Sequence, residues 1–434
     1  MRRLYGLAST LILTGGLSAC AVYHAVPLPQ ASTLGAEPPQ ATMNLSAVDR
    51  YAIAHSPDLA VERRRAEVSM AQAYQGGLLP DPQVSASVDH PTVHRLGLAN
   101  GYALGLAEDL QALLTEPSRA EGAEARQQQA RLELLWAEWQ TLQRATSLYV
   151  HKIYADDKLA VLRRTASILL EQARHSTHAL KRHGTSIDVA GVDLSAALDI
   201  TSQKDSAARA AVATDADLKA LLGLAPTASL KLDNPGDPPA ISREDVEKAL
   251  KLVRQTRPDL LALQAGYHAQ DEAVRTAILQ QFPAINLGFN RASDTSNIQS
   301  NGLGVTLNIP IFGSTQAKIR LERATREQLR AEYQARLDQT TADAWRIWQT
   351  LVLLRSNVDR LAKSVPALQK MATTSQRAYS AGNLPPATYA LIETSLSARQ
   401  GELFDLRATL WDDTIALRTL LAMSPLVPGI SGFE

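Results

Sequence analysis

The sequence predicts a mainly α-helical chain with a small membrane β-barrel contribution, built as two tandem repeats of helix, strand, strand, long helix and helix. Three observations carry that expectation. One stretch reads as a helix too long for a globule, the same order of local signals occurs twice, and two pairs of segments alternate between apolar and polar residues.

The long stretch runs from Ser314 to Ala381. Apolar or small residues fall at alternating steps of three and four along Ala344, Ile347, Leu351, Leu354, Val358, Leu361, Val365, Leu368, Ala372, Ser375 and Tyr379, which is a heptad seam. At helical rise the segment spans roughly 100 Å. It therefore has to lie against other helices in an extended bundle or a helical barrel. Pro366 removes one backbone donor inside it and predicts a kink or a local break.

The repeat has an offset of about two hundred residues. Ser56-Pro57-Asp58-Leu59 recurs as Arg257-Pro258-Asp259-Leu260, and Leu79-Pro80-Asp81-Pro82 as Phe282-Pro283-Ala284-Ile285. His183-Gly184-Thr185 recurs as Ala381-Gly382-Asn383, and Leu218-Lys219-Ala220-Leu221-Leu222 as Leu417-Arg418-Thr419-Leu420-Leu421. These matches divide the chain into a first repeat over 44–223, a linker over 224–241 rich in Pro, Gly and Asp, a second repeat over 242–422 and a tail over 423–434. Helices are expected at 44–79, 117–182 and 187–222, then at 242–281, 314–381 and 386–422. In each repeat the two flanking helices are about half as long as the central one, so end to end they can run beside it. Gly184 and Gly382 suit the left-handed cap where each long helix reverses, and Pro385 and Pro386 suit the first turn of the helix that follows.

Hairpins are expected at the opposite end, over about 82–109 and 283–311. Ile285, Leu287 and Phe289 alternate with Asn286, Gly288 and Asn290, and Leu303, Val305 and Leu307 with Gly304, Thr306 and Asn308. The first hairpin repeats the pattern through Val84, Ala86, Val88, Tyr102, Leu104 and Leu106. Such alternation matches lipid-facing barrel strands as well as soluble hairpins. Four strands from one chain would leave two open edges in lipid, so closure requires more than one chain.

The N-terminus adds a location. Arg2 and Arg3 precede an apolar run from Leu4 to Leu13, and small residues lead to Leu17-Ser18-Ala19-Cys20, a secretory signal over 1–19 followed by a segment 20–43 that reads as an extended arm. Its end resembles the lipobox of bacterial lipoproteins, which implies lipidation of Cys20. Cys20 is the single cysteine, so no disulfide forms within the chain. The residue after it is Ala21, which in lipoproteins implies retention in the outer membrane.

The 434 residues carry no net formal charge, unlike a nucleic-acid-binding chain. There is no Gly-rich phosphate loop, His-Glu-x-x-His helix or nucleophile elbow, and no catalytic residues are assigned. Glu171, His175 and His178 share a helix face and form a weak metal candidate, against the plainer reading of a solvated face. His90 and His94 fall in the first strand loop. Trp136, Trp139, Trp345 and Trp348 occupy matching parts of the two long helices, where packing between helices is the expectation.

Taken together, these residues resemble the TolC-type outer-membrane efflux proteins over nearly the whole mature chain. The likeness is carried by the tandem repeats, the Ser-Pro-Asp-Leu start, the Pro before the first strand of each hairpin, the Tyr379-Ser380-Ala381-Gly382 turn and the Ile309-Pro310-Ile311-Phe312-Gly313 junction. It implies a homotrimer whose twelve strands close one barrel in outer-membrane lipid above an α-helical periplasmic barrel. It also implies a periplasmic adaptor and an inner-membrane pump as partners, and no cofactor. Two departures stand out. The first repeat has Glu108-Asp109-Leu110-Gln111 where the family has its Pro junction, and the positions six and nine after Gly382, often acidic in the family, are Thr388 and Leu391. The resemblance thus places Thr388, Tyr389 and Leu391 at a periplasmic constriction, with Asp193 as the acidic candidate in the first repeat. It makes Gly184, Thr185, Gly382 and Asn383 the adaptor-docking tips. The expected function is a passive outer-membrane conduit of a tripartite efflux or secretion system; the alternative is a coiled-coil lipoprotein rod or adaptor without a pore. Cargo and pump class stay open.

Overall fold

The structure, a computed structural model, describes residues 23–35, 42–93 and 97–423. The signal stretch 1–19, Cys20 and His94 lie outside the described residues. The first repeat folds as α1 (Leu45–His55), α2 (Pro57–Gly77), β1 (Gln83–Asp89), β2 (Gly101–Asp109), α3 (Leu110–Lys181) and α4 (Ile187–Leu221). The second folds as α5 (Arg243–Thr256), α6 (Pro258–Leu279), β3 (Ala284–Ser293), β4 (Gln299–Asn308), α7 (Ser314–Ser380) and α8 (Pro386–Leu420).

Two expectations about helix boundaries are corrected. The helices expected at 44–79 and 242–281 are each two helices, broken at Ser56 and Arg257, whose ψ values of 121° and 118° are extended. The cause is the proline that follows, which bars the preceding residue from the α region and then opens the next helix. At the first break the Ser56 hydroxyl accepts from the Leu59 amide at 3.4 Å. The first long helix starts at Leu110 and not at 117, because Asp109 at the end of β2 caps it directly. Its Oδ1 accepts from the amides of Gln111 and Ala112 at 2.9 and 3.4 Å. A carboxylate cap here replaces the proline-containing junction of the second repeat, where Gly313 turns the chain at φ 76°. The two long helices, of 72 and 67 residues, run unbroken through Pro117 and Pro366; continuous packing along their length offsets the bond each proline removes.

Toward the tips the helices lie side by side in the order α4, α3, α8, α7; toward the strands the order is α2, α3, α6, α7. The result is one layer four helices wide, in which α3 is flanked on both sides and α7 stands at an edge. The heptad seam of α7 is its inner face: Ala344, Leu351, Leu354, Val358, Val365 and Ala372 are buried with Leu396, Leu403, Leu410 and Leu417 of α8. A second core joins the repeats, with Val48, Ala52, Tyr149, Leu218 and Leu222 packed against Trp411 and Ile415. The linker crosses this level without helix and pairs with the segment before α1. The Met43 amide donates to Lys231 O at 2.9 Å and the Tyr149 hydroxyl to Asp233 O at 2.5 Å. The indoles of Trp348 and Trp411 donate to Ile241 O and Gly236 O at 3.1 and 3.0 Å.

The four strands form one antiparallel sheet in the order β1-β2-β3-β4. One edge of β1 and one edge of β4 are therefore unpaired within the chain.

Candidate functional site

The sheet register decides which side chains share a face. Ile285 is opposite Leu307, Leu287 opposite Val305 and Phe289 opposite Leu303, and opposed residues in an antiparallel pair point the same way. Leu106 lies opposite both Phe289 and Val84, and Leu104 opposite Ala86. All the expected lipid-facing residues thus fall on one surface, and they are 39 to 80 % exposed there. The other surface carries Ser85, Ser87, Ala103, Gly105, Asn286, Gly288, Thr306 and Asn308. The apolar side does not stop at the sheet. Leu110, Leu113 and Leu114 at the start of α3, with Phe282, Ile309, Ile311 and Phe312 at the junctions, extend it toward the helices, all of them exposed.

At the tips the same cap closes both long helices. The amides of His183 and Gly184 donate to Leu180 O and Ala179 O at 3.1 and 2.8 Å, and those of Gly382 and Asn383 to Tyr379 O and Ala378 O at 2.9 Å each. This is a Schellman motif in both repeats. The left-handed residue is Gly382 (φ 76°) in the second, as expected, but His183 (φ 58°) and not Gly184 in the first. The glycine match is one residue out of register with the caps, since the backbone turns left-handed at His183, one residue before Gly184, in the first repeat and at Gly382 in the second. Counting from the cap corrects a further assignment. The first-repeat counterpart of Leu391 is Val192 and not Asp193, and the two are 69 and 70 % exposed. Asp193 is half-buried and accepts from Gln172 Nε2 of α3 at 3.0 Å. Thr388 is exposed; Tyr389 is buried and stacked on Tyr379 with ring centres 4.9 Å apart. Its phenol is pushed above the usual range by burial and by nearby Glu393. Glu393 is itself buried and accepts from Arg164 of α3 at 3.3 Å.

Glu171 and His175 form an exposed pair at 3.6 Å, and among the described residues no group of three His, Cys, Asp or Glu side chains is arranged to hold a metal ion. His178 does not complete a ligand set. Trp345 and Trp348 meet edge to face at 5.7 Å, and Trp136 lies under the Arg257 guanidinium at 5.1 Å.

Sequence reasoning missed two features. One is the buried cluster at the α5–α6 break. Arg257 pairs with Asp259 at 2.6 Å, and its Nη1 donates to Thr340 of α7 at 2.8 Å and to Leu420 O of α8 at 3.4 Å. An Arg two residues before an Asp across a proline was its signal. The other is an open groove of about 1060 Å³ between α4 and α8 with α3 as its floor, lined by small residues such as Ala207, Ala210, Ser397, Ala398 and Gly401. Near its upper end His151 Nε2 lies 2.6 Å from Asp412, and this hydrogen bond raises the His151 pKa.

The long helices reversing at capped tips, the single sheet and the two-fold repetition fit one known architecture. Residues 249–423 match the outer membrane efflux protein family. The chain has the TolC-like channel fold over both repeats, although the family match lies in the second. CusC, described in connection with folding and transmembrane channel formation, is 14 % identical, with 93 % of this chain and 99 % of that one covered and a TM-score of 0.66. VceC from Vibrio cholerae is 15 % identical over 87 % of this chain and 96 % of that one, with a TM-score of 0.69. The CmeC outer membrane channel of Campylobacter jejuni is 13 % identical over 93 % and 95 %, with a TM-score of 0.69. No curated protein matches the chain. At these identities the likeness is one of fold. Among the described residues no helix is long and apolar enough to cross a membrane.

Proposed function

We propose that the protein is the outer-membrane channel of a tripartite efflux or secretion system, a passive conduit from a periplasmic adaptor and inner-membrane pump to the exterior. The observation that carries this is the sheet. It has one predominantly apolar face, with Glu108 and Arg291 as its charged members, and one small, polar face, and it is open at both edges. A soluble rod would expose that face and both edges to water, which favours aggregation. In lipid, an open edge is satisfied only by another strand. Three copies joined β4 to β1 would close a twelve-stranded barrel, and the helix layers, with α7 at an edge, would close beneath it in the same rotation.

In this assembly Cys20 carries the acyl anchor, the rows around Leu287 and Val305 face outer-membrane lipid, and the tunnel runs down the helices into the periplasm. Gly184, Thr185, Gly382 and Asn383 form the docking ends for the adaptor. The constriction is formed by Thr388 and Leu391, with Tyr389 holding α8 against α7 behind them; Val192 occupies the matching place in the first repeat. Energy for transport comes from the pump, so the channel itself needs no catalytic group.

The test is extraction from outer membranes followed by electrophoresis without heating and recording in planar bilayers. SDS-resistant trimers with single-channel conductance support the reading. Monomers that stay soluble once the anchor is removed, and that give no conductance, overturn it in favour of a rod.

A further inference from the structure

On the outward face of the sheet the side chains change character along each strand, and the register fixes where. Going away from the helices along β3 and β4, the paired residues are Ile285 with Leu307, Leu287 with Val305 and Phe289 with Leu303, then Arg291 with Asn301 and Ser293 with Gln299. Arg291, Asn301 and Gln299 thus share the apolar face and sit immediately beyond the last apolar pair of β3 and β4. On the β2 side, Arg291 is opposite Leu104 and Ser293 is opposite Tyr102. Arg291 is exposed, and no carboxylate among the described residues pairs with it. The acidic residue on this face, Glu108, lies opposite Leu287, one apolar row beyond Phe289 on the helix side. Asp294 in the hairpin tip turns its Oδ1 to the amides of Ser296 and Ile298, at 2.9 Å each.

An unpaired guanidinium on a lipid-facing wall is costly at the middle of the bilayer and nearly neutral at its interface. Arg291 therefore places the outer ends of β3 and β4 at the limit of the hydrocarbon, the depth at which lipid phosphates lie. The Tyr102 ring, in the next row out, suits the same depth. We propose that Arg291, with the amides of Asn301 and Gln299, binds the phosphate of an anionic lipid headgroup in the outer leaflet, whose acyl chains run down the wall formed by Phe289, Leu303 and Leu106. The inference rests on the channel reading, since only an inserted barrel brings this face to lipid. The chemistry fits: a guanidinium presents a planar fork of donors that matches two phosphate oxygens, and each side-chain amide adds two N–H groups.

The full-length protein is reconstituted in nanodiscs of equal parts phosphatidylglycerol and phosphatidylcholine, and the lipid retained on re-extraction is counted by mass spectrometry. Wild type is expected to enrich phosphatidylglycerol, and Arg291→Gln to lose roughly five-fold of that enrichment. Arg330→Gln, at an exposed position on α7, is expected to leave it unchanged. Equal enrichment in Arg291→Gln overturns the proposal, as does an equal loss in Arg330→Gln, which would make the effect one of overall charge. Displacement by millimolar inorganic phosphate would also overturn it, because the site would then take the anion and not the lipid. Failure of wild type to insert at all brings down the channel reading together with this one; insertion with an unaffected variant brings down this one alone.

Discussion

Single residues at the two tips perform the same task with different chemistry. Gly382 takes its left-handed conformation freely, whereas His183 holds φ 58° against the clash of its own Cβ. Gly382→Val is expected to lower stability by about 1–2 kcal/mol, and His183→Gly to raise it by about 1 kcal/mol. Gly184→Val should do little, since its φ is ordinary and an added Cβ meets Ala179 O at 3.5 Å. Thermal unfolding of the three variants distinguishes this from a cap centred on Gly184, which would make Gly184→Val the damaging one. A second residue-scale prediction concerns Asp49 of α1, which is buried and hydrogen-bonded by Thr146 at 3.1 Å. Desolvation raises its pKa from 3.8 to about 7. The folded state then holds a proton that the unfolded state has already released, so this group's contribution to stability falls as pH rises from about 4 to 7 and is level above. Asp49→Asn should therefore stabilise the protein at pH 8, by up to about 4 kcal/mol, and hardly at all at pH 4. Equal melting shifts at both pH values would contradict it.

Elements show how one repeat was fitted to two environments. Along α8 the buried seam is Tyr389, Leu396, Leu403, Leu410 and Leu417, spaced by heptads. The corresponding residues of α4 are Ala190, Ala197, Lys204, Ala211 and Leu218. Small residues let α4 lie close on α3, and Lys204 keeps its ammonium beside Asp205 at 3.1 Å. Leu403→Ala should cost about 2–5 kcal/mol as a core deletion, while Lys204→Leu should be neutral or stabilising. A comparable loss at both positions in denaturant unfolding would mean that the seams are equivalent after all. The break before α6 is held by the Arg257–Asp259 pair. Arg257→Met leaves the largely buried Asp259 carboxylate with Arg336 alone, at 3.9 Å, and is expected to cost about 2–3 kcal/mol, whereas replacing both partners by apolar residues should recover most of it.

For the whole molecule the open edges dominate. The sheet ends in two open edges within one chain, so on the proposed channel reading conductance would belong to the assembly. Leu391 and Val192 are both exposed beyond the caps; on the proposed channel reading, replacing the pair by Ala is expected to raise single-channel conductance about two-fold or more by removing apolar bulk from the proposed constriction. Unchanged conductance would place the narrowest point elsewhere. Tyr389→Ala is expected instead to loosen the α7–α8 tip and lower thermal stability, since the ring is buried against Tyr379.

Much of this architecture was written in periodicity. The α7 seam, the hairpin faces and the order of the elements follow from where apolar residues recur, because burial on one face of a helix or strand imposes a fixed spacing whatever lies opposite. Spacing does not say what lies opposite. That Arg257 reaches Thr340 and Leu420 O, that α3 is shared between the repeats, and that Arg291 stands beside Asn301 at the edge of the apolar wall are long-range pairings. They depend on how strands register and helices cross, which no local pattern encodes. The breaks at Ser56 and Arg257 lay between: the prolines were visible, but a helix that resumes in the next residue leaves the same periodic trace as one that never stopped. The tip caps show the limit most sharply, since glycine identity aligned the repeats one residue away from the position where the backbone turns left-handed. Residue type by itself determined which faces had to be buried; only the tertiary structure decided which residue carries each turn and what each face meets, because those depend on backbone conformation and on contacts between distant parts of the chain.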